Sequence, residues 1–291
     1  MQYTIKFFFS FIFLYAIFLN SSASVVKSDS LYHSENYFEA SIEYERMIFQ
    51  AKNNTDINYF KYKKALCYKH MGRFDDALKE LQPIYFSNPA DSLYYLVCYE
   101  QSLCFYLNGE PARALWKIDE FFHRSADTTL FRFFLPVKIL CLNETFQWEE
   151  AKNSLLQYVS TQDFLPEKKT ELEETVLNVY GKKNRPRIKS EKKAENLSRF
   201  LPGSGQIYAG KEGEGVVNFL INASILTFAG IQVYNGFYIT GYLAGLGFFN
   251  KTYHGGIRRA GVLAAQKNKE LMAGFNSEIT TILLSNTEET K

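Results

Sequence analysis

The sequence predicts an all-α protein in two parts, a helical-repeat solenoid followed by a transmembrane helical hairpin. The first part rests on a repeat: Ala40, Ala77, Ala114 and Ala151 stand 37 residues apart, with no insertion or deletion between them. Leu66-Cys67-Tyr68, Leu103-Cys104-Phe105 and Leu140-Cys141-Leu142 keep the same interval. A fixed period in the range of about 20 to 50 residues marks a stack of small units, none able to bury its apolar face alone. The second part rests on charge. From Gly215 to Asn250 no residue is charged, although charged residues make up 22% of the chain.

At 291 residues the chain has room for two domains. A formal net charge of +2 gives no electrostatic footprint for nucleic acid, so no nucleic-acid partner is expected. Residues 1–23 read as an export signal: Lys6, an apolar run from Phe7 to Leu19, then the small residues Ser21-Ser22-Ala23 before cleavage. An uncleaved anchor is the alternative, disfavoured because the run is short for a membrane span. No cysteine follows the run, so no lipid attachment is expected there.

Residues 24–162 hold four repeats of 37 residues, each read as two helices. In the second repeat Tyr59, Phe60, Tyr62, Leu66 and Tyr68 fall at helical spacing, and Met71-Gly72-Arg73 breaks the run. Gly72 stands where a tight turn needs positive φ. Phe74, Ala77, Leu78, Leu81 and Ile84 form the partner helix, which Asn88-Pro89 stops. Ala77 is small because the two helices cross closely there. Cys67, Cys104 and Cys141 take the same place in successive repeats, so they lie a helix-packing distance apart, on the order of 10 Å. That exceeds the roughly 7 Å between Cα atoms that a disulfide allows, and Cys98 falls on another face of the helix that carries Cys104. All four read as small buried apolar residues. His33 and His70 are one repeat apart and mark a repeat position, not a metal site.

At these residues the chain resembles the tetratricopeptide repeat family. The second repeat carries Ala65, Tyr68, Gly72, Phe74, Ala77, Leu81 and Pro89 in the family's order. The third keeps Phe105, Gly109, Ala114 and Ile118, and the fourth keeps Leu142, Trp148, Ala151 and Leu155 with Phe146 in place of glycine. The first keeps Tyr37, Ala40 and Tyr44. The resemblance covers residues 25–162, and the period is longer than the family's usual length of about 34, consistent with longer loops such as Lys52 to Asp56. It implies protein binding, with a peptide or partner helix cradled by the stacked first helices. Tyr62 and Tyr99 are the inward-facing residues expected to touch it.

Residues 163–180 read as a capping helix, with Leu172, Val176, Leu177, Val179 and Tyr180 on its apolar side. Residues 181–197 are a basic linker, expected to be solvated or to lie along an anionic surface. Residues 198–260 form the hairpin domain. Within it Gly205 to Lys211 has the spacing of a phosphate-binding loop, but Glu212 stands where that motif needs Ser or Thr for magnesium, so no nucleotide and no cofactor are expected. Val216 to Tyr234 is long enough to span a bilayer, Asn235-Gly236 is a turn, and Phe237 to Phe249 is a shorter apolar run. Gly241 and Gly245 have the small-xxx-small spacing that lets helices approach, and Asn218 and Asn222, one turn apart, are placed to hydrogen-bond across the hairpin. The run Pro202-Gly203-Ser204-Gly205-Gln206-Ile207-Tyr208-Ala209-Gly210 before a hairpin is similar to glycine-rich membrane domains of bacterial envelope proteins, which implies a membrane location. Past the hairpin Gly255-Gly256 precede Ile257 to Leu284, which read as an amphipathic helix carrying Arg258, Arg259, Lys267 and Lys269, and residues 261–291 are assigned to an amphipathic tail.

The function expected from these readings is a non-enzymatic envelope adaptor, with the repeats exported to the periplasmic side and the hairpin in the lipid bilayer. Export conflicts with the basic residues flanking the hairpin, which favour the cytoplasm; the export signal is the stronger pattern. The alternative places the function in the hairpin, handling a lipid or solute under control of the repeats. It lacks an intramembrane acid or base, and no metal-ligand cluster or paired carboxylates appear; Lys251 and His254 read as interfacial anchors.

Overall fold

The computed structural model describes residues 25–86, 91–125 and 128–288. The expected export signal and the stop at Asn88-Pro89 lie outside them. The described residues are overwhelmingly helical and contain no strand, so the chain is all-α. It divides into two compact units, one up to Val176 and one from Leu177.

In the first unit a helix over residues 25–33 (α1) is followed by α2 (Tyr37–Gln50), α3 (Asn54–His70), α4 (Phe74–Leu81), α5 (Ser92–Leu107), α6 (Pro111–Arg124), α7 (Phe131–Glu144) and α8 (Trp148–Thr161). From α2 onward each packs on the next, and α3, α5 and α7 also touch in turn. The helix starts are chemically marked. Asn53 and Asp91 accept from the amides of Asp56 and Leu93, Pro111 opens α6, and Asp75 and Asp76 place negative charge on the first turn of α4.

Four turns share one geometry. Glu35, Gly72, Gly109 and Phe146, again 37 apart, all have φ between 62° and 77°. In each the residue after them donates back to a first-helix carbonyl: Asn36 to Leu31, Arg73 to Tyr68, Glu110 to Phe105 and Gln147 to Leu142. These are Schellman caps, which close the carbonyls left open at a helix end. Five residues after each cap comes the repeated alanine, and all four alanines are fully buried. A non-glycine residue in this conformation costs roughly 1–2 kcal/mol. Glu35, an exposed residue, is therefore the clean test: Glu35→Gly is expected to raise stability by about 1 kcal/mol, read as a higher denaturant midpoint with an unchanged slope.

The core between α5, α6 and α7 is aromatic. Phe134 stacks on Phe121 with centroids 4.9 Å apart and meets Phe122 and Tyr95 at 5.4 and 6.0 Å. Among the described residues the buried charges are paired. Lys64 donates to Glu45 on α2 and Glu80 on α4, both at 2.7 Å, and Lys69 on α3 grips both oxygens of Glu100 on α5. All four cysteines are buried and free. Burial pushes the thiols of Cys67 and Cys104 up to about 12 and that of Cys98 up to about 11, and Cys141 moves the same way. Thiolate, the reactive form, is therefore scarce at pH 8. We expect no reaction with a disulfide reagent in the folded protein and four equivalents after denaturation in guanidinium.

α9 (Pro166–Val179) spans the division between the units. Leu172, Val176, Val179 and Tyr180 are buried, whereas Leu177, expected on the same apolar side, is 55% exposed.

The second unit comprises α10 (Glu191–Phe200), α11 (Ser204–Tyr208), α12 (Glu212–Tyr234), α13 (Tyr238–Tyr242), a π-helical stretch (Leu243–Phe248) and α14 (Phe249–Glu288). Two features differ from the sequence expectation. The basic linker over 181–197 is helical from Glu191, because Ala194 and Ser198, one turn apart, give it a small-residue face. Ala194 packs with Ala209, Ala260, Leu263 and Ala264. The tail over 261–291 is not a separate helix: α14 runs for 40 residues through Gly255-Gly256. Those glycines do not break it because Gly256 is a notch that receives the Asn218 amide, 2.5 Å from where a Cβ would stand.

The cap of the first unit recurs here. Gly210 (φ 83°) and Gly236 (φ 82°) precede Lys211 and Phe237, which donate to the carbonyls of Gln206 and Gln232. Five residues on stand Gly215 and Gly241, where the first unit has alanine, and both are buried at close crossings. A Cβ on Gly215 would lie 2.6 Å from the Gly203 carbonyl oxygen, and one on Gly241 2.6 Å from Val233.

Candidate functional site

The first unit offers one face rich in aromatic and charged groups, carried by α1, α3, α5 and α7. Tyr62 on α3 and Tyr99 on α5, the residues singled out by sequence, are both half-buried and one repeat apart. Burial pushes both phenols up, with the Glu100 carboxylate adding to it. Tyr62 also feels Tyr32, Tyr95 and Tyr59, and Tyr99 feels Tyr95. Tyr95 and Glu100 thus link the two. Tyr99 meets Phe134 edge-on at 5.6 Å, and Tyr95 lies 6.0 Å from Phe133, which is 44% exposed. In the next repeat the position of Tyr62 and Tyr99 is taken by Pro136, inside α7.

At the α1 end Lys63 bonds Asp29 at 2.8 Å and lies 5.2 Å from the Tyr32 ring centre. Burial pushes the Asp29 carboxyl up, but the hydrogen bonds from Lys63 and from Tyr44, the latter 2.5 Å long, outweigh it and hold it below the usual carboxylate range. His70 stacks on Tyr37 at 4.7 Å and meets Tyr32 at 5.6 Å. Among the described residues no group of three or more His, Cys, Asp or Glu side chains is placed to hold a metal ion. The surface carries aromatic faces, phenols and a cation, Lys63, held in an ion pair with Asp29. Tyr32, Tyr59, Tyr95 and Lys63 were missed in the sequence. Tyr59 and Tyr95 precede Tyr62 and Tyr99 by three and four residues, the spacing of one helix face, which is the signal that could have found them.

In the second unit the glycine-rich run is a packing knot. Gly203 (φ 91°) puts its missing Cβ 2.0 Å from the Gly215 oxygen, so the two backbones touch. Gln206 is fully buried; its Oε1 accepts from Ser198 at 3.0 Å and its Nε2 donates to the Gly256 carbonyl at 3.0 Å. The Gly205 amide donates to Ser198 Oγ. Asn222 donates to the Asn218 carbonyl at 2.8 Å and accepts from Thr252 Oγ1 of α14 at 2.9 Å, so it joins two helices, whereas Asn218 fills the notch at Gly256. Gly241 touches α12 through Val233 and the Ala229 carbonyl; Gly245 has ordinary contact distance to Ala229, 3.7 Å, and room for a methyl. Arg259 of α14 grips Glu214 of α12 at 2.7 and 3.2 Å. Lys251 and His254 are exposed on α14.

Among the described residues one helix, α12, is long and apolar enough to cross a membrane, and only 11% of its apolar window is buried. Val216, Val217, Leu220, Phe228, Ile231 and Tyr234 are all exposed, Tyr234 by 91%, and Ile239, Leu243 and Phe248 continue the surface after the Gly236 turn. Comparison with protein-family models, curated proteins and solved structures finds no match.

Proposed function

We propose that the chain is a membrane-anchored adaptor of the cell envelope. A tetratricopeptide-type solenoid, exported to the periplasmic side, holds a partner protein, and a hairpin formed by α12 and the helices after it fixes the solenoid to the bilayer. The observation that carries this reading is the exposed apolar surface of the second unit. Monomeric soluble proteins rarely expose contiguous apolar patches beyond a few hundred Å². α12 has 23 residues, about 35 Å at 1.5 Å per residue, and a bilayer core is about 30 Å thick. The 37-residue register, with alanine at each crossing and a left-handed residue at each turn, supports the solenoid reading.

Two measurements test it. Membrane fractions carrying the full-length protein are washed with alkaline carbonate; retention in the pellet is expected, and extraction sinks the anchor. In-cell cross-linking and recovery of the full-length protein should then yield one specific envelope protein, reduced at least tenfold in Tyr62→Ala/Tyr99→Ala, roughly the loss expected from two aromatic contacts. Equal recovery by the double variant removes the aromatic face from the binding site.

A further inference from the structure

We propose that α10 is an interfacial helix that selects an anionic leaflet, with lipid phosphates on its lysines and Phe200 seated at the acyl boundary. This rests on the bilayer anchoring proposed above. α10 has two opposite faces. Ala194 and Ser198 are buried toward α14, while Lys192, Lys193, Asn196, Arg199 and Phe200 are exposed. Phe200 is 95% exposed and Leu201 48%, an uncovered aromatic and an aliphatic side chain closing an otherwise basic helix. A shallow groove on this face is lined by Ser190, Lys192, Lys193, Asn196, Leu197 and Phe200, so the cations and the apolar end share one surface.

The fold fixes where that surface lies. The Arg199 carbonyl accepts from Tyr253 Oη at 2.6 Å, and Tyr253 stacks on Phe249, the first residue of α14. Two residues past Leu201, Gly203 touches Gly215, next to the exposed Val216. Phe200 and Leu201 are thereby held beside the start of the apolar surface of α12, and Ile207, 46% exposed, continues it between them. At the other end Asn268 of α14 clamps the backbone of Lys189, accepting from its amide at 2.7 Å and donating to its carbonyl at 2.8 Å. The Lys189 and Lys193 ammonium groups lie 4.9 and 5.3 Å from the Tyr208 ring centre.

Charge settles which lipid fits. Residues 182–193 carry seven basic side chains against one acidic, Glu191. Glu191 and Glu195 sit on the opposite flank, in a groove with Arg258 and Lys269. Glu195 reaches Arg199 only at 3.9 Å. The groove beside Phe200 therefore holds two lysines and no carboxylate. Basic side chains held at headgroup level beside inserted apolar groups are the pattern by which interfacial helices prefer anionic lipid.

The test uses the full-length protein with Phe200→Cys labelled by an environment-sensitive fluorophore; the four native thiols are buried. The protein is reconstituted into phosphatidylcholine vesicles and into vesicles that also contain phosphatidylglycerol, and incorporation is scored by flotation. The label is expected to shift to the blue in both vesicles and clearly further in the anionic ones. The shift should fade with added salt, and the lipid fraction giving half the shift should rise roughly thirtyfold in Lys192→Gln/Lys193→Gln, at about 1 kcal/mol for each of the two lysines near the surface. Flotation with both vesicles and the same label signal in each overturns the anionic preference and leaves the anchoring intact. Failure to float with either overturns the anchoring, and this inference with it.

Discussion

Gly205→Ala is expected to destabilise the second unit by about 3 kcal/mol or more. The added methyl would stand 2.0 Å from the Ala194 carbonyl oxygen, 2.4 Å from Ser198 Oγ and 2.8 Å from the Ala260 Cβ. Ala194 and Ser198 belong to α10, Ala260 to α14, and all three are buried at the point where these helices are joined through small residues. Overpacking a close-packed core costs typically about 1–3 kcal/mol, when side chains can shift. Here the nearest atom is backbone and the next is the hydroxyl that bonds Gln206 and the Gly205 amide, so the expected cost is at the upper end of that range or above it, about 3 kcal/mol. The unit's thermal transition in detergent should fall well below that of the unaltered protein, and trypsin should cut sooner in α10, which carries Lys192, Lys193 and Arg199. Gly213→Ala is the control, since a Cβ there meets nothing within 4 Å, and it should melt with the unaltered protein. A Gly205→Ala protein that also melts unchanged would show that α10 and α14 do not meet as closely as described.

This knot also shows how far the sequence could be read. The repeat was legible because alanine at every helix crossing is a residue-level signature that the period exposes. Its turns were legible only where glycine marks them. Glu35 and Phe146 adopt the same left-handed conformation, but their side chains announce nothing of it, and only the register with Gly72 and Gly109 gives them away. The sequence extends the basic linker of 182–193 into α10, because the two residues that bind it to α14, Ala194 and Ser198, are too small to form an apolar stripe. Tyr62 and Tyr99 were legible as one repeat position, 37 residues apart. Their surroundings were not, because Tyr95, Tyr32 and Glu100 reach them from other turns and other repeats, a relation that follows from helix packing. Asn222 accepts from Thr252, 30 residues away on α14, a partner beyond any local pattern.

Phe134→Ala is expected to give the largest loss in the first unit. Its side chain is fully buried and is shared by three helices, stacking on Phe121 of α6 and meeting Tyr95 and Tyr99 of α5 edge-on. Truncating a buried phenylalanine costs about 3–5 kcal/mol, from lost transfer free energy and the cavity left behind. Native domains are stable by only about 5–15 kcal/mol, so the loss should show as a fall of the unit's melting transition. In a linear repeat array each unit leans on its neighbours; under the solenoid reading the transition should also broaden as the α5–α7 junction opens before the α2–α4 end. Phe133→Ala separates stability from recognition. Phe133 is 44% exposed and lies 6.0 Å from Tyr95, so its removal should cost less than about 1 kcal/mol, the order of one aromatic pair. Partner recovery should fall in Phe134→Ala even below the melting temperature, because Tyr95 and Tyr99 lose the ring that orients them. If recovery stays level in Phe134→Ala while the transition drops, the aromatic cluster is a core alone and the proposed binding face does not include it.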